Sequence, residues 1–325
     1  MKEKGLRSVI AEIKKHKYFL LTTHTNPEGD ALGSELAFFS LLRKLGKKVT
    51  VVNQDPLPNE YSFLPFVEHI KRYGSLGKYI FDCMVVLDCS DLSRTGNLRR
   101  VNPSGKPVIN IDHHISNDGF GSVRWVEPYL SSTSEMVYLL YKKMNIPLDK
   151  NSALLLYTGI MTDTGSFRYS NTSSFTHKAI SDLMRFDIDV RNVYKRVYED
   201  ITFSDSKLLI SILSNVRLSG KGRIAWVEIP NKIFKGKKTI FDLSEHILSF
   251  MRAIKGVEVA ALFKENFGER REIRFNLRSN SRVDVNKIAA YFGGGGHKSA
   301  SGCTLTGSLT DIRKRVLSKI TTHLK

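Results

Sequence analysis

The sequence predicts an α/β protein: a parallel sheet in the first half, then a smaller α+β domain. Short apolar runs alternate with helical patterns, polar loops carrying acids or histidines follow those runs, and the pattern changes after about residue 216. Tyr18–Thr23 reads as a buried strand, and Ala31–Leu45 has helical periodicity that Gly46 stops. Val49–Asn53, Cys83–Asp88 and Val108–Asp112 read as further strands, and Ser132–Lys143 and Ala153–Thr162 as helices. Strands separated by helices imply βαβ units and a parallel sheet. Asp189 to about Val216 is a polar, helical connector. Beyond it lie strands at Gly222–Glu228, Val257–Phe263 and Glu272–Arg278, with helices at Glu245–Ile254, Val285–Tyr291 and Leu309–His323. The expected divisions are 1–188, 189–216 and 217–325.

The chain has 325 residues, enough for about two domains with cores of their own. Lys and Arg number 50 against 32 acids, a formal charge of +18. Such a surplus favours polyanionic partners: nucleic acid, nucleotides or an anionic membrane. Cys83, Cys89 and Cys303 form no CxxC pair, which argues against a disulfide framework and for a reducing cytosol. Met1 to Val9 is too polar for a signal peptide, and no apolar run is long enough to span a bilayer. The expectation is a cytoplasmic protein.

The acids and histidines fall at the ends of the apolar runs. His24-Thr-Asn-Pro-Glu28-Gly-Asp30 follows the first strand, where sites form in parallel α/β sheets. Pro27 and Gly29 turn the backbone there, so the side chains can converge; capping of the next helix by Asp30 is the alternative use. Asp88 closes the third strand, and Asp112-His113-His114 closes the fourth. Adjacent histidines point differently, so one can bind metal while the other faces a substrate. Asp163 ends an apolar helix, an unfavourable place for an acid against the helix dipole, which a cation would offset. Mixed His/Asp/Glu donors suit Mn²⁺, Fe²⁺, Co²⁺ or Mg²⁺ better than a structural zinc, which would want cysteines. No GxSxG elbow suggests a serine nucleophile.

HTNPEGDALGS, VVLDCSD, IDHH and GIMTDTGSFRY resemble the successive motifs of the DHH phosphoesterases. FNLRSN and VDVNKIAAYFGGGGHKSASG resemble their associated C-terminal domain. The nearest subgroup is the NrnA-like nanoRNases, which are oligoribonucleases and pAp phosphatases. The resemblance implies a parallel Rossmann-like sheet with helices on both faces as the catalytic domain. It also implies a C-terminal substrate-binding domain, with an active-site cleft between the two. His24, Glu28 and Asp88 would hold one divalent ion, and Asp30, Asp88 and His113 a second. Asp163 would complete the pair, with Asp88, His113 and His114 the catalytic residues and His114 touching the scissile phosphate. The family usually has Asp where this chain has Glu28. Mn²⁺ is the expected metal, with Mg²⁺ or Co²⁺ as alternatives. Arg94, Arg278, Gly294, Gly295, Gly296 and His297 would grip the substrate, the glycines through free N–H groups forming an anion nest. The expected partners are short RNA or DNA oligonucleotides, from dinucleotides such as pApA and pGpG upward, and nucleotides such as pAp, which would yield AMP. A homodimer is also implied.

Two alternatives differ in class. An inorganic pyrophosphatase or exopolyphosphatase would use the same metal domain, but the Ser-Arg-Lys-Lys-type cluster of such pyrophosphatases is absent. A non-catalytic RNA-binding protein would be expected to have eroded ligands, whereas every ligand position here holds a competent residue.

Overall fold

A computed structural model describes residues 3–75, 78–102, 104–234, 243–265, 272–280 and 283–324. The chain divides into two compact units, Met1–Val197 and Tyr198–Lys325.

The first unit holds a six-stranded, all-parallel sheet. Its strands are β1 (Tyr18–Thr22), β2 (Lys48–Asn53), β3 (Ile70–Arg72), β4 (Cys83–Leu87), β5 (Val108–Asp112) and β6 (Val123–Val126), in the order β3-β2-β1-β4-β5-β6. From β1 the chain steps outward to β2 and β3, then returns to β4 on the other side and steps outward again. The strand order therefore reverses between β1 and β4, and ligands of such sheets bind outside the carboxyl ends of the strands at that point. Every residue of β4 is buried, as expected of a central parallel strand covered on both faces.

Among the described residues this unit also holds six α-helices: α1 (Glu3–Lys15), α2 (Gly29–Lys44), α3 (Thr133–Lys143), α4 (Lys150–Asp163), α5 (Ser174–Leu183) and α6 (Val190–Tyr194). In α2 every residue from Gly29 to Leu42 is buried. Polar bonds lock it to its neighbours: Tyr141 Oη donates to the Ala37 carbonyl at 2.9 Å, and Ser40 Oγ lies 3.0 Å from Ser152 Oγ.

The second unit holds a mixed sheet. Its strands are β7 (Arg217–Ser219), β8 (Ile224–Ile229), β9 (Val259–Glu265), β10 (Glu272–Ser279), β11 (Gly295–Gly296) and β12 (Ala300–Thr306), in the order β11-β12-β10-β9-β8-β7. Among the described residues only β8 and β9 pair in parallel. The sheet is flanked by α7 (Phe203–Leu213), α8 (Ser244–Ala253), α9 (Val285–Tyr291) and α10 (Leu309–Thr321). Burial along β10 alternates strictly, and Ile273, Phe275 and Leu277 share one core with Ile288 of α9 and Val316 of α10. The other face packs Val227 and Leu262 against Ile247, Leu248 and Met251 of α8.

The α/β reading with a smaller second domain holds, although each unit carries a six-stranded sheet. Several elements were not anticipated. Helix α1 buries Leu6, Val9 and Ile13 on one face. Edge strands β3 and β6 are only three and four residues long and partly exposed, so they leave little period. Strand β12 reads ASGCTLT, too small and polar to announce itself. Among the described residues no helix is long and apolar enough to cross a membrane.

Candidate active site

The site gathers at the carboxyl ends of β1, β4 and β5 and the end of α4. His24 lies two residues past β1, and α2 begins at Gly29 with Glu28 at its N-cap position. The Glu28 side chain makes no capping bond. It lies instead against His24, with Oε1 3.2 Å from Nε2. Asp30 does not cap α2 either: it sits inside the first turn and accepts from two backbone N–H groups of α3, Thr133 at 2.7 Å and Ser134 at 2.8 Å.

Asp88, directly after β4, has a left-handed backbone with φ +53. Aspartate tolerates that conformation better than most residues, and glycine could not supply a carboxylate. The two Asp88 oxygens face different neighbours: Oδ2 is 3.7 Å from His24 Nε2, and Oδ1 is 3.6 Å from His113 Nε2. His113 Nε2 also lies 3.7 Å from Asp30 Oδ2 and 3.5 Å from Asp163 Oδ2.

Both imidazoles are held by carbonyls. His24 Nδ1 is 2.8 Å from the Thr25 carbonyl and His113 Nδ1 is 3.2 Å from that of Leu130. A carbonyl can only accept, so Nδ1 carries the proton and Nε2 is directed at the carboxylates. Two donor groups result, His24–Glu28–Asp88 and Asp30–Asp88–His113, each with its ligand atoms within 4.8 Å of one another. Nitrogen and carboxylate donors in groups that share one carboxylate fit a pair of divalent cations.

The electrostatics of the cation-free site agree. Burial, then the charge of Asp88, push the Asp30 carboxyl well above its ordinary value. Burial also lifts Asp163; the charge of His113 opposes this and that of Asp88 adds to it, leaving it at about 6. Burial opposes charge on His24, but Glu28 and the hydrogen bond with Asp88 bring it to about 10. His113 follows the same logic: burial opposes its charge, and Asp163, Asp88 and Asp30 raise it to about 9. Burial works against ionised Asp88 too, yet His24, His114 and His113 hold it well below the usual range. A cation bound among these groups would displace the protons that these shifts favour.

His114 adjoins these donors: its Nδ1 lies 3.7 Å from Asp88 Oδ1, and with Asp88 and Asp112 it forms a further candidate group. Its Nδ1 is 2.7 Å from Asp112 Oδ1, and Asp112 Oδ2 accepts from Asn117 Nδ2 at 2.6 Å. Asp112 therefore orients His114, a role that sequence reasoning missed because the acid lies inside a buried strand. Arg94 lies close enough for its charge to depress His24, and its Nη1 donates to Ser90 Oγ at 3.3 Å.

Further supports were missed as well. Thr133 Oγ1 donates to Asp88 Oδ1 at 3.0 Å, and Asn171 Nδ2 donates to Asp163 Oδ2 at 3.2 Å. Ser132-x-x-Glu135 does announce a helix start; nothing in it says where that helix aims. Gly159 of α4 is needed for space: a Cβ there would collide with the Ser134 hydroxyl and lie 2.9 Å from Asp30 Oδ1.

In the second unit, Arg278 of β10 pairs with Glu245 of α8, Nη2 to Oε2 at 2.9 Å. The expected nest of free N–H groups needs correction. Gly293 and Gly294 donate to the carbonyls of Ala290 and Ala289, closing α9, and His297 N–H donates to Ala300 O at 2.6 Å. Gly295 and Gly296 pair with Gly302 and Ser301 in β11–β12. The glycines serve close packing: a Cβ on Gly294 would collide with the Gly302 carbonyl, and one on Gly296 (φ +143) would lie 2.5 Å from that of Ala300.

Fold and site together define an α/β protein with a buried carboxylate–imidazole cluster at a sheet switch point. Residues 18–160 match the DHH family, N-terminal domain, and residues 231–322 match the DHHA1 domain. The chain belongs to the DHH phosphoesterases, a family of hydrolases. It is 29% identical over 320 residues to the bifunctional oligoribonuclease and PAP phosphatase NrnA of Bacillus subtilis, covering 98% of each chain. The protein of the same name from Thermus thermophilus is 28% identical over 310 residues, covering 94% of this chain and 89% of that one. Among solved structures, an exopolyphosphatase-related protein from Bacteroides fragilis superposes with a TM-score of 0.87 at 27% identity, covering 98% of this chain and 97% of that one.

Proposed function

We propose that this protein is a metal-dependent phosphoesterase that cleaves short oligonucleotides to mononucleotides and removes a phosphate from pAp. The observation that carries this reading is the placement of Asp88, whose two oxygens face the His24 and His113 groups separately. The names of the Bacillus subtilis and Thermus thermophilus relatives support the substrate class. The net charge of +18 suits such polyanions.

His24, Glu28 and Asp88 would hold one divalent cation. Asp30, Asp88 and His113 would hold the second, and Asp163 would complete the pair. When bound, two such cations supply an activated water and neutralise charge on the phosphoryl oxygens. The resemblance to the family favours manganese, which mixed nitrogen and carboxylate donors accept, with magnesium and cobalt as alternatives. Asp112 holds His114 by Nδ1, so Nε2 is the ring nitrogen this imidazole would offer to a substrate. It would contact the scissile phosphate and donate a proton toward the leaving oxygen. Arg94 would add a cationic contact on the His24 side. Arg278, held by Glu245, and His297 would bind a second phosphate, with Gly294, Gly295 and Gly296 keeping that surface thin enough for close approach. The first unit is then catalytic and the second binds substrate. Three free cysteines favour a reducing compartment, hence the cytoplasm.

The Bacteroides fragilis neighbour favours a second reading, hydrolysis of polyphosphate. A panel assayed with Mn²⁺, with and without EDTA, separates them. It contains pAp, pApA, an RNA pentamer, an RNA 24-mer, pyrophosphate and polyphosphate. The expected result is EDTA-sensitive hydrolysis of the first three and little of the rest. Turnover of pyrophosphate or polyphosphate alone would replace the proposal with the second reading. No turnover of any compound would overturn both.

A further inference from the structure

The segment Leu130–Ser134, entering α3, touches candidate ligands from three other elements. The Leu130 carbonyl accepts from His113 Nδ1, and the Ser131 carbonyl accepts from Asn171, which also donates to Asp163. Thr133 and Ser134 N–H groups bind the two oxygens of Asp30. The Thr133 hydroxyl donates to Asp88. Thr133 and Ser134 are both fully buried.

We infer that Thr133 is a positioning residue, whose hydroxyl fixes the rotation of the Asp88 carboxylate so that one oxygen faces each cation position. The inference deepens the phosphoesterase reading and rests on its two-cation site. The geometry is direct. A carboxylate on a short side chain rotates easily about its last bond, and with φ at +53 the Asp88 backbone already sits in a sparsely populated region. The 3.0 Å bond from Thr133 holds Oδ1 toward His113, and this turns Oδ2 toward His24. The same residue's N–H fixes Asp30 at 2.7 Å. Thr133 thus ties the shared carboxylate to one that belongs to a single group, and sets their relative placement. The bond to Asp88 uses a hydroxyl, so serine can replace threonine and valine, of nearly the same shape, cannot. The bond to Asp30 uses the backbone and survives either change.

The test compares wild type with T133V, T133S and T133A. Three readouts are used: Mn²⁺ binding to the metal-free protein by calorimetry, thermal unfolding with and without Mn²⁺, and turnover of pAp. Partners that orient metal ligands are typically worth about 10- to 100-fold in metal affinity or activity. The expected result for T133V is a loss of that size in Mn²⁺ affinity and kcat, with KM for pAp within about twofold. Metal-free melting should change little, while the rise in Tm on adding Mn²⁺ shrinks; T133S should restore both. If T133V does not fold, T133A carries the comparison. Wild-type Mn²⁺ affinity in T133V and T133A would overturn the inference, as would a lower metal-free Tm with an unchanged Mn²⁺-induced rise. If wild type binds Mn²⁺ but hydrolyses nothing in the panel, the phosphoesterase reading fails, and the binding arm alone decides for Thr133. If wild type binds no Mn²⁺, the two-cation site and this inference fall together.

Discussion

The two units bury polarity very differently. At the crest of the parallel sheet, His24, Asp30, Asp88, Asp112, His113 and His114 are all buried and in mutual contact. In the second unit, the buried polar residues among those described are Asp205 of α7, Ser279 and Ser301, and Arg278 is only partly buried beside Glu245. Burying unpaired charge is costly unless partners or metal compensate it. The first unit carries that cost where a reaction could use it. The second, apart from Asp205 of α7, keeps its charges partly exposed, where binding a phosphate requires less desolvation. On the proposed reading the contrast separates chemistry from recognition, and substitutions in each unit should fail in different ways.

The largest effect is expected at Asp88. D88N keeps the shape but removes the charge shared by both donor groups. Hydrolysis of every panel substrate should fall by about three orders of magnitude or more, since metal charge stabilisation is worth several kcal/mol. Comparable loss for pAp and for pApA marks a defect in chemistry; loss confined to one substrate would break the comparison.

A pH effect comes next. His24 and His113 sit at about 10 and about 9 in the cation-free fold, against an ordinary value of 6.5. The folded state therefore holds protons that the unfolded chain releases above about 6.5. Their contribution to stability is fully present below that pH and is lost as pH rises through 9 to 10. Cation binding must expel the same protons, so Mn²⁺ affinity should rise by up to about tenfold per pH unit for each proton released. Melting at pH 6.5 and 8.5 checks the sign: Tm of the metal-free protein falls with pH, while the Mn²⁺-induced rise grows. A Mn²⁺-induced rise that shrinks with pH would contradict the account.

The smallest effect, and the one specific to the second unit, is at Arg278. R278A should raise KM for pAp by roughly 10- to 100-fold, the worth of a charge-assisted contact. Its kcat and Mn²⁺ binding should stay near wild type. Loss of metal binding in R278A would erase the distinction between the units.

Much of this site was legible in the sequence because catalytic side chains follow strands. His24, Asp88 and His113 each stand next to an apolar run, and the crest of a parallel sheet is where such residues meet. What could not be read is direction. Nothing in Ser132-Thr133-Ser134 says that its N–H groups point at Asp30, since that follows from the packing of α3 on α2 and α4. The glycine run misled for the same reason: a flexible segment looks like an anion nest until the N–H partners in α9 and β12 are known. Helix α1 has Leu6, Val9 and Ile13 three and four apart, but the many charged residues between them mask that period. Glu28 shows the converse, a ligand candidate whose side chain is half-exposed while its partners are buried.

The central claim is a pair of cation positions sharing Asp88. The most direct measurement is the number of Mn²⁺ ions bound per chain at equilibrium in wild type and in D88N. The account predicts two in wild type and the loss of at least one in D88N. Equal occupancy in the two proteins, or none in wild type, would contradict it.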